Sequence, residues 1–188
     1  MVGEVALVFG GGEGLGRAAA LALAARGVRV VVSGADERSI ARVVGEVTCG
    51  GGTARHLAGD AGAPDRVEAA VEKALGAFGK LTYVLVAGSS AAVAHAVAVV
   101  VAPRLGDGGR LIVIGDGGED GARASVASVV SGLDPSVEAS GATINGLVWT
   151  DRGEGDVEAG AEVVVFLCSD AADGISRETL EVKGRAPR

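Results

Sequence analysis

Cysteine is scarce in this 188-residue chain: Cys49 and Cys168 stand far apart, and neither sits in a Cys-x-x-Cys or Cys/His cluster. That excludes a disulfide framework or a zinc site and fits a reducing compartment. Proline is equally sparse, at four residues, and the 32 glycines have no triplet period, so collagen-like and proline-rich disordered readings fail. Basic runs are missing as well. With 17 Lys+Arg against 24 Asp+Glu the net charge is −7, and an acidic chain without a basic cluster repels phosphate backbones and anionic membrane surfaces. Neither nucleic acid nor membrane is an expected partner. The longest apolar run, Ala91 to Ala102, contains His95 and is shorter than the roughly 20 residues a bilayer span needs. No basic leader precedes the first apolar run at Val5, and a cytoplasmic location is the expectation.

What is present is apolar residue, 48% of the chain, which argues against disorder. At about 150 residues per domain the length corresponds to one domain over residues 1–188, large enough for a real core.

The apolar run Val5–Phe9 leads into a glycine turn, and the Ala/Leu-rich stretch Arg17–Arg26 reads as a helix stopped by Gly27. The rhythm then repeats. Strands are expected at Val28–Val32, Thr53–Leu57, Leu81–Ala87, Arg110–Ile114, Ala142–Val148 and Thr179–Val182. Helices are expected at Glu37–Val47, Pro64–Phe78, Ser90–Leu105, Ala122–Leu133 and Asp156–Cys168. Parallel neighbours need crossover helices, so this alternation predicts one α/β domain: a Rossmann-like, doubly wound parallel sheet of about seven strands with helices on both faces.

The turn Gly10-Gly11-Gly12-Glu13-Gly14-Leu15-Gly16 lies where the first strand meets the first helix. Glycines there let a pyrophosphate approach the backbone, and the helix N-terminus supplies free N–H groups. The same glycines also permit tight helix packing. With Phe9 in front, the segment resembles the T-G-x-x-x-G-x-G turn of the short-chain dehydrogenase/reductase family, Phe9 replacing the Thr. Gly59-Asp60 resembles the family's adenine-contacting Asp, Gly109–Ile114 its fifth strand and Ala142–Asn145 its sixth. Val165–Ala172 and Thr179–Val182 resemble its last helix and strand. The resemblance implies NAD(P)-dependent oxidoreductase ancestry, with Gly10, Gly14, Leu15, Gly16, Asp60 and Gly88 as cofactor-binding positions.

The departures from that pattern are selective. The family transfers protons with a Y-x-x-x-K pair helped by a Ser. The one tyrosine here, Tyr83, lies inside the fourth strand, with Ala87 four residues on. Counting back from Asn145 puts Glu119 and Arg123 at the Tyr and Lys positions, and Gly115-Asp116 where the Ser-containing pair belongs. A carboxylate does not copy a phenol near neutral pH, and Arg cannot be tuned as Lys can. The family's N-N-A-G appears as Val86-Ala87-Gly88-Ser89. Relative to the family, residues are missing after Ser89, after Asp116 and after Thr150, in the segments that carry its active-site walls and substrate lid. Asp116, Glu119 and Arg123 are therefore only weak catalytic candidates, and no metal site is expected.

For the cofactor, NAD or NADP, the second strand ends in Ser33-Gly34-Ala35 with Asp36 slightly late, and Glu13 stands where NADP users often carry Arg. NAD is favoured if a nucleotide binds. Trp149 reads as a pocket cover, an interface residue or core, and both cysteines read as small buried apolar residues. The helix about 90–105 is apolar almost all round and needs cover on both faces. The helix about 122–133 is rich in Ala and Ser. In the resembled family these two helices form the main subunit interface. The expected function is a non-catalytic structural or regulatory subunit, forming a homo-oligomer or a hetero-oligomer with an active family member. The alternatives are an NAD(P)-dependent oxidoreductase with an atypical or partner-completed site, and a dinucleotide-binding sensor.

Overall fold

The computed structural model describes residues 1–59, 61–105, 107–117, 121–133, 141–150 and 157–183. Seven strands, β1 (Val5–Phe9), β2 (Arg29–Gly34), β3 (Ala54–Ala58), β4 (Tyr83–Ala87), β5 (Arg110–Asp116), β6 (Thr143–Thr150) and β7 (Thr179–Lys183), form one sheet in the order β3-β2-β1-β4-β5-β6-β7. Every pairing is parallel. The direction of winding reverses between β1 and β4, which opens a crevice at their carboxyl ends.

Helices α1 (Gly14–Ala24), α2 (Glu37–Cys49) and α6 (Val157–Leu167) cover one face; α3 (Pro64–Phe78), α4 (Ala91–Val101) and α5 (Ala122–Gly132) cover the other. Alternation along the strands fills both cores: Ala6 and Val8 face the first, Val5, Leu7 and Phe9 the second. Because both faces are buried, β1 and β4 read as unbroken apolar runs.

The element order matches the expectation from the sequence, and the boundaries differ for local reasons. Helix α1 starts at Gly14, since the turn glycines contribute its first coil. Helix α4 ends at Val101 and tightens into a 3-10 turn over Ala102–Arg104, because Pro103 has no N–H to continue the ladder. Strands β5 and β6 each run two residues further than expected, bringing Asp116 and Trp149 into register.

Cys168 is buried as expected, but Cys49 is exposed. Helix α2 buries Ile40, Val43 and Val47, and the last residue of the helix falls on its opposite side. Arg177, with φ 60°, donates through its guanidinium to the carbonyls of Val130 and Leu133. It thereby caps the C-terminal end of α5, whose carbonyls lack helical partners.

Candidate functional site

The turn between β1 and α1 is held closely against its neighbours. Gly11 N–H donates to the Ser33 carbonyl at 3.2 Å. A Cβ on Gly10, where φ is +69°, would collide with the Ala87 carbonyl, and one on Gly16 would collide with the Gly10 carbonyl. These glycines let β1, β4 and α1 converge. Gly14 differs: its φ is +53° and a Cβ there would meet nothing within 4 Å, so its backbone faces open space.

Helix α1 enters through Glu13, an extended N-cap whose side chain makes no cap hydrogen bond. The ladder begins at Arg17 N–H donating to the Glu13 carbonyl at 3.0 Å. The amides of Gly14, Leu15 and Gly16 therefore lie at the helix's positive end without helical acceptors. A phosphate fits such a cradle.

These elements line a cleft of about 290 Å³. Gly10, Glu13 and Gly14–Gly16 form one wall, Ala87 and Gly88 the floor, and Asp116, Trp149 and Val157 the far side. Five of the six expected cofactor positions, Gly10, Gly14, Leu15, Gly16 and Gly88, are thus brought together; Asp60 lies outside the described residues. Glu13 and Asp116 are the only ionisable side chains among the described lining residues.

A second cavity of about 220 Å³ lies between α4, β5 and α5. It is lined in part by Ser89, Ser90 and Ser125 and shares Gly115 and Asp116 with the cleft.

Asp116 ends β5 between the two cavities. Glu119 lies outside the described residues. Arg123 lines neither cavity: its guanidinium lies 3.5 Å from the Glu181 carboxylate on β7, and its side chain is largely exposed.

Tyr83 is 4% exposed at the opposite end of β4 from Gly88, in register with Arg110. Burial pushes its phenol up to about 12, with Cys168 adding to the effect. Asp36, the acidic residue nearest the end of β2, caps α2: its carboxylate accepts from the Arg38 and Ser39 amides. The Ser39 hydroxyl above all, then the Arg38 amide, hold its carboxyl below the usual range.

Trp149 was the residue whose role the sequence left open, and it belongs to both the core and the cleft wall. It is 5% exposed, and its buried Nε1 has no hydrogen-bond partner among the described residues. Alternation from Asn145 through Leu147 to Trp149 was the signal that places it on the α1 side. Among the described residues no group of three His, Cys, Asp or Glu could hold a metal, and no helix is long and apolar enough to cross a membrane.

Comparison with known proteins agrees with this geometry. A versicolorin reductase of Emericella nidulans is 43% identical over 83 residues, 44% of this chain and 31% of that protein, so the matched stretch spans about a third of that relative. A dehydrogenase/reductase from Sinorhizobium meliloti 1021 superposes with a TM-score of 0.87 at 22% identity, covering 98% of this chain and 95% of that one. A 7α-hydroxysteroid dehydrogenase complexed with NADH and 7-oxo glycochenodeoxycholic acid superposes with a TM-score of 0.87 at 20% identity, covering 98% and 94%. At such identities these two structures speak for the fold. The sequence profile described as short chain dehydrogenase matches residues 4–102, more than half the chain and the part that builds the glycine turn and the crevice beside it. On that match the chain belongs to the short-chain dehydrogenase family.

Proposed function

We propose that this chain is a non-catalytic member of its family, one that holds a nicotinamide dinucleotide and acts as a structural or regulatory subunit. The observation that carries this reading is the place of the only tyrosine. The family's proton transfer needs a phenol in the cleft, and Tyr83 is buried at the far end of β4 with its hydroxyl held in the neutral form. The ionisable groups that do line the cleft, Glu13 and Asp116, are both carboxyls.

The glycine turn fits the dinucleotide. The amides of Gly14, Leu15 and Gly16 would hold the pyrophosphate, with Gly10 and Gly16 keeping the backbone close. When bound, the cofactor would supply hydride-transfer chemistry. Glu13 opposes a 2′-phosphate by charge, which favours NAD over NADP.

Assembly would use the exposed faces of α4 and α5. Ala92, His95, Ala96 and Val99 form one stripe on α4, and Val99 is 55% exposed. Ala124, Ser128 and Ser131 are exposed on α5. These short side chains would let a second copy, or an active family member, approach closely. In this reading the oligomer is cytoplasmic, with neither nucleic acid nor membrane as a partner.

The test combines native mass spectrometry of the protein at its natural expression level with a hydride-transfer assay on alcohols and carbonyls. The expected result is an oligomer that carries NAD(H), shows no turnover alone, and falls to monomer in Val99→Glu. A stable wild-type monomer overturns the subunit reading. A second reading, an oxidoreductase with an atypical site, draws on Asp116 at the junction of the two cavities. Turnover by the purified chain that disappears in Asp116→Ala would establish it.

A further inference from the structure

The outer face of α4 carries one ionisable side chain. Ala92, His95, Ala96 and Val99 lie three or four residues apart and so share one side of the helix, and all four are exposed. No Asp, Glu, Lys or Arg occurs from Ala91 to Val101. A cation at position 95 therefore has no counter-charge on its own helix.

Helices α5 and α3 pack against α4 on either side. On the α5 side the neighbour is Gly132, where a Cβ would stand 3.8 Å from the imidazole Cε1. The charged residue of α5, Arg123, lies near the other end of that helix and pairs with Glu181 of β7. Helix α3 carries Asp65, Arg66, Glu68, Glu72 and Lys73, and Glu72 pairs with Arg104. Among the described residues the His95 imidazole makes no hydrogen bond and no ion pair.

With a net charge of −7, two copies of the chain repel where charged surfaces meet. The uncharged face of α4 escapes that repulsion, and a two-fold pairing lays such a face against itself. A second copy is the occupant this chemistry fits. Pairing takes His95 out of water, and burial disfavours a charged imidazole. An imidazole changes charge near about pH 6.5.

We propose that the α4 face pairs with the same face of a second copy and that His95 is the pH switch of that contact: the neutral imidazole is buried with the alanines and Val99, and its protonation separates the copies. This inference rests on the subunit reading given above and names how assembly is regulated. Separated copies take up protons that the pair excludes, so pairing is full above about pH 6.5 and is lost as pH falls below it. General acidification acts in the opposite sense, because protonated carboxyls lower the negative charge and with it the repulsion between copies. Pairing that weakens in acid thus points to histidine, and the chain has two. The other, His56, is half-buried on the outer strand β3.

Sedimentation of the full chain at fixed ionic strength, at about pH 7.5 and about pH 5.5, tests the switch. The wild-type dissociation constant is expected to rise about a hundredfold between the two, about tenfold for each imidazole of the pair. His56→Gln is expected to behave as the wild type. His95→Gln and His95→Ala remove the titrating group, and both are expected to pair at the lower pH as well as at the higher one. A wild-type constant that does not change, or the same change in both His95 variants, overturns the switch and leaves the subunit reading standing. A wild-type monomer at the higher pH overturns the subunit reading and this inference with it.

Discussion

The two ends of the sheet are built on opposite terms. At the carboxyl end, β1 and β4 lead into the glycines Gly10 and Gly88, and α1 begins with uncapped amides. At the amino end, charged side chains form ion pairs, although Arg29 Nε, Arg110 Nε and Thr143 Oγ1 are buried without a partner among the described residues. Arg110, 4% exposed at the start of β5, donates to Asp173 and to the Gly109 carbonyl. Glu4 accepts from Thr82 at 2.5 Å and pairs with Lys80 at 2.7 Å. The only tyrosine lies at this closed end, beside Arg110. The carboxyl end leaves backbone amides open to a ligand, and the amino end ties charged side chains to one another.

The contrast can be broken most severely at Gly10. Gly10→Val forces a branched side chain into a φ of +69° and against the Ala87 carbonyl. The expected loss is about 3 kcal/mol in urea unfolding, together with any dinucleotide binding.

Alkaline pH attacks the other end. Burial raises both the Tyr83 phenol and the Cys168 thiol to about 12 from ordinary values near 10 and 9. Groups with raised values in the fold contribute stability that is fully present below their unfolded values and is lost as pH rises through the folded ones. Unfolding free energy should therefore fall between about pH 9 and pH 12, and Tyr83→Phe should flatten the part above pH 10. A denaturant midpoint constant across that window would contradict the burial described for both groups.

Asp173→Ala leaves the Arg110 guanidinium without its carboxylate. Because the Asp173 side chain is 65% exposed, screening limits the expected loss to about 1–2 kcal/mol, measured by thermal unfolding.

Glu4 should give the smallest effect. Burial raises its carboxyl, but hydrogen bonds from Lys80 and Thr82 outweigh this and leave it lowered. A lowered carboxyl contributes stability above its ordinary value of 4.5 and loses it as pH falls further. Glu4→Gln should cost less than about 1 kcal/mol at pH 7, and progressively less as pH falls below 4.5.

The fold was legible because each element carries its own period and punctuation. Val28–Val32 is too short and too β-branched to be a helix, Pro64 opens α3, and glycine runs separate the units. The cradle was legible for the same reason: Gly10, Gly14 and Gly16 meet a backbone demand that is local in sequence. The rest of the site depends on side-chain direction, which spacing does not determine. Arg123 occupies the lysine-like position yet reaches Glu181, because α5 begins at Ala122 and its second residue projects toward β7. Asp36 looks available for a ribose yet is engaged by α2, whose first amides are its nearest donors. Alternation along β6 gives the face of Trp149, but its contact with Gly160 of α6 depends on packing that spacing does not determine.

The sheet's two outer strands bear on how copies of this protein can meet. Strands β3 and β7 are five residues each, with Arg55 exposed on one and Glu181 and Lys183 exposed on the other. Short, charged outer strands are poor templates for another chain's backbone. Sheets of neighbouring molecules should therefore not add end to end into fibrils, and crowding should leave the protein as discrete particles rather than aggregates.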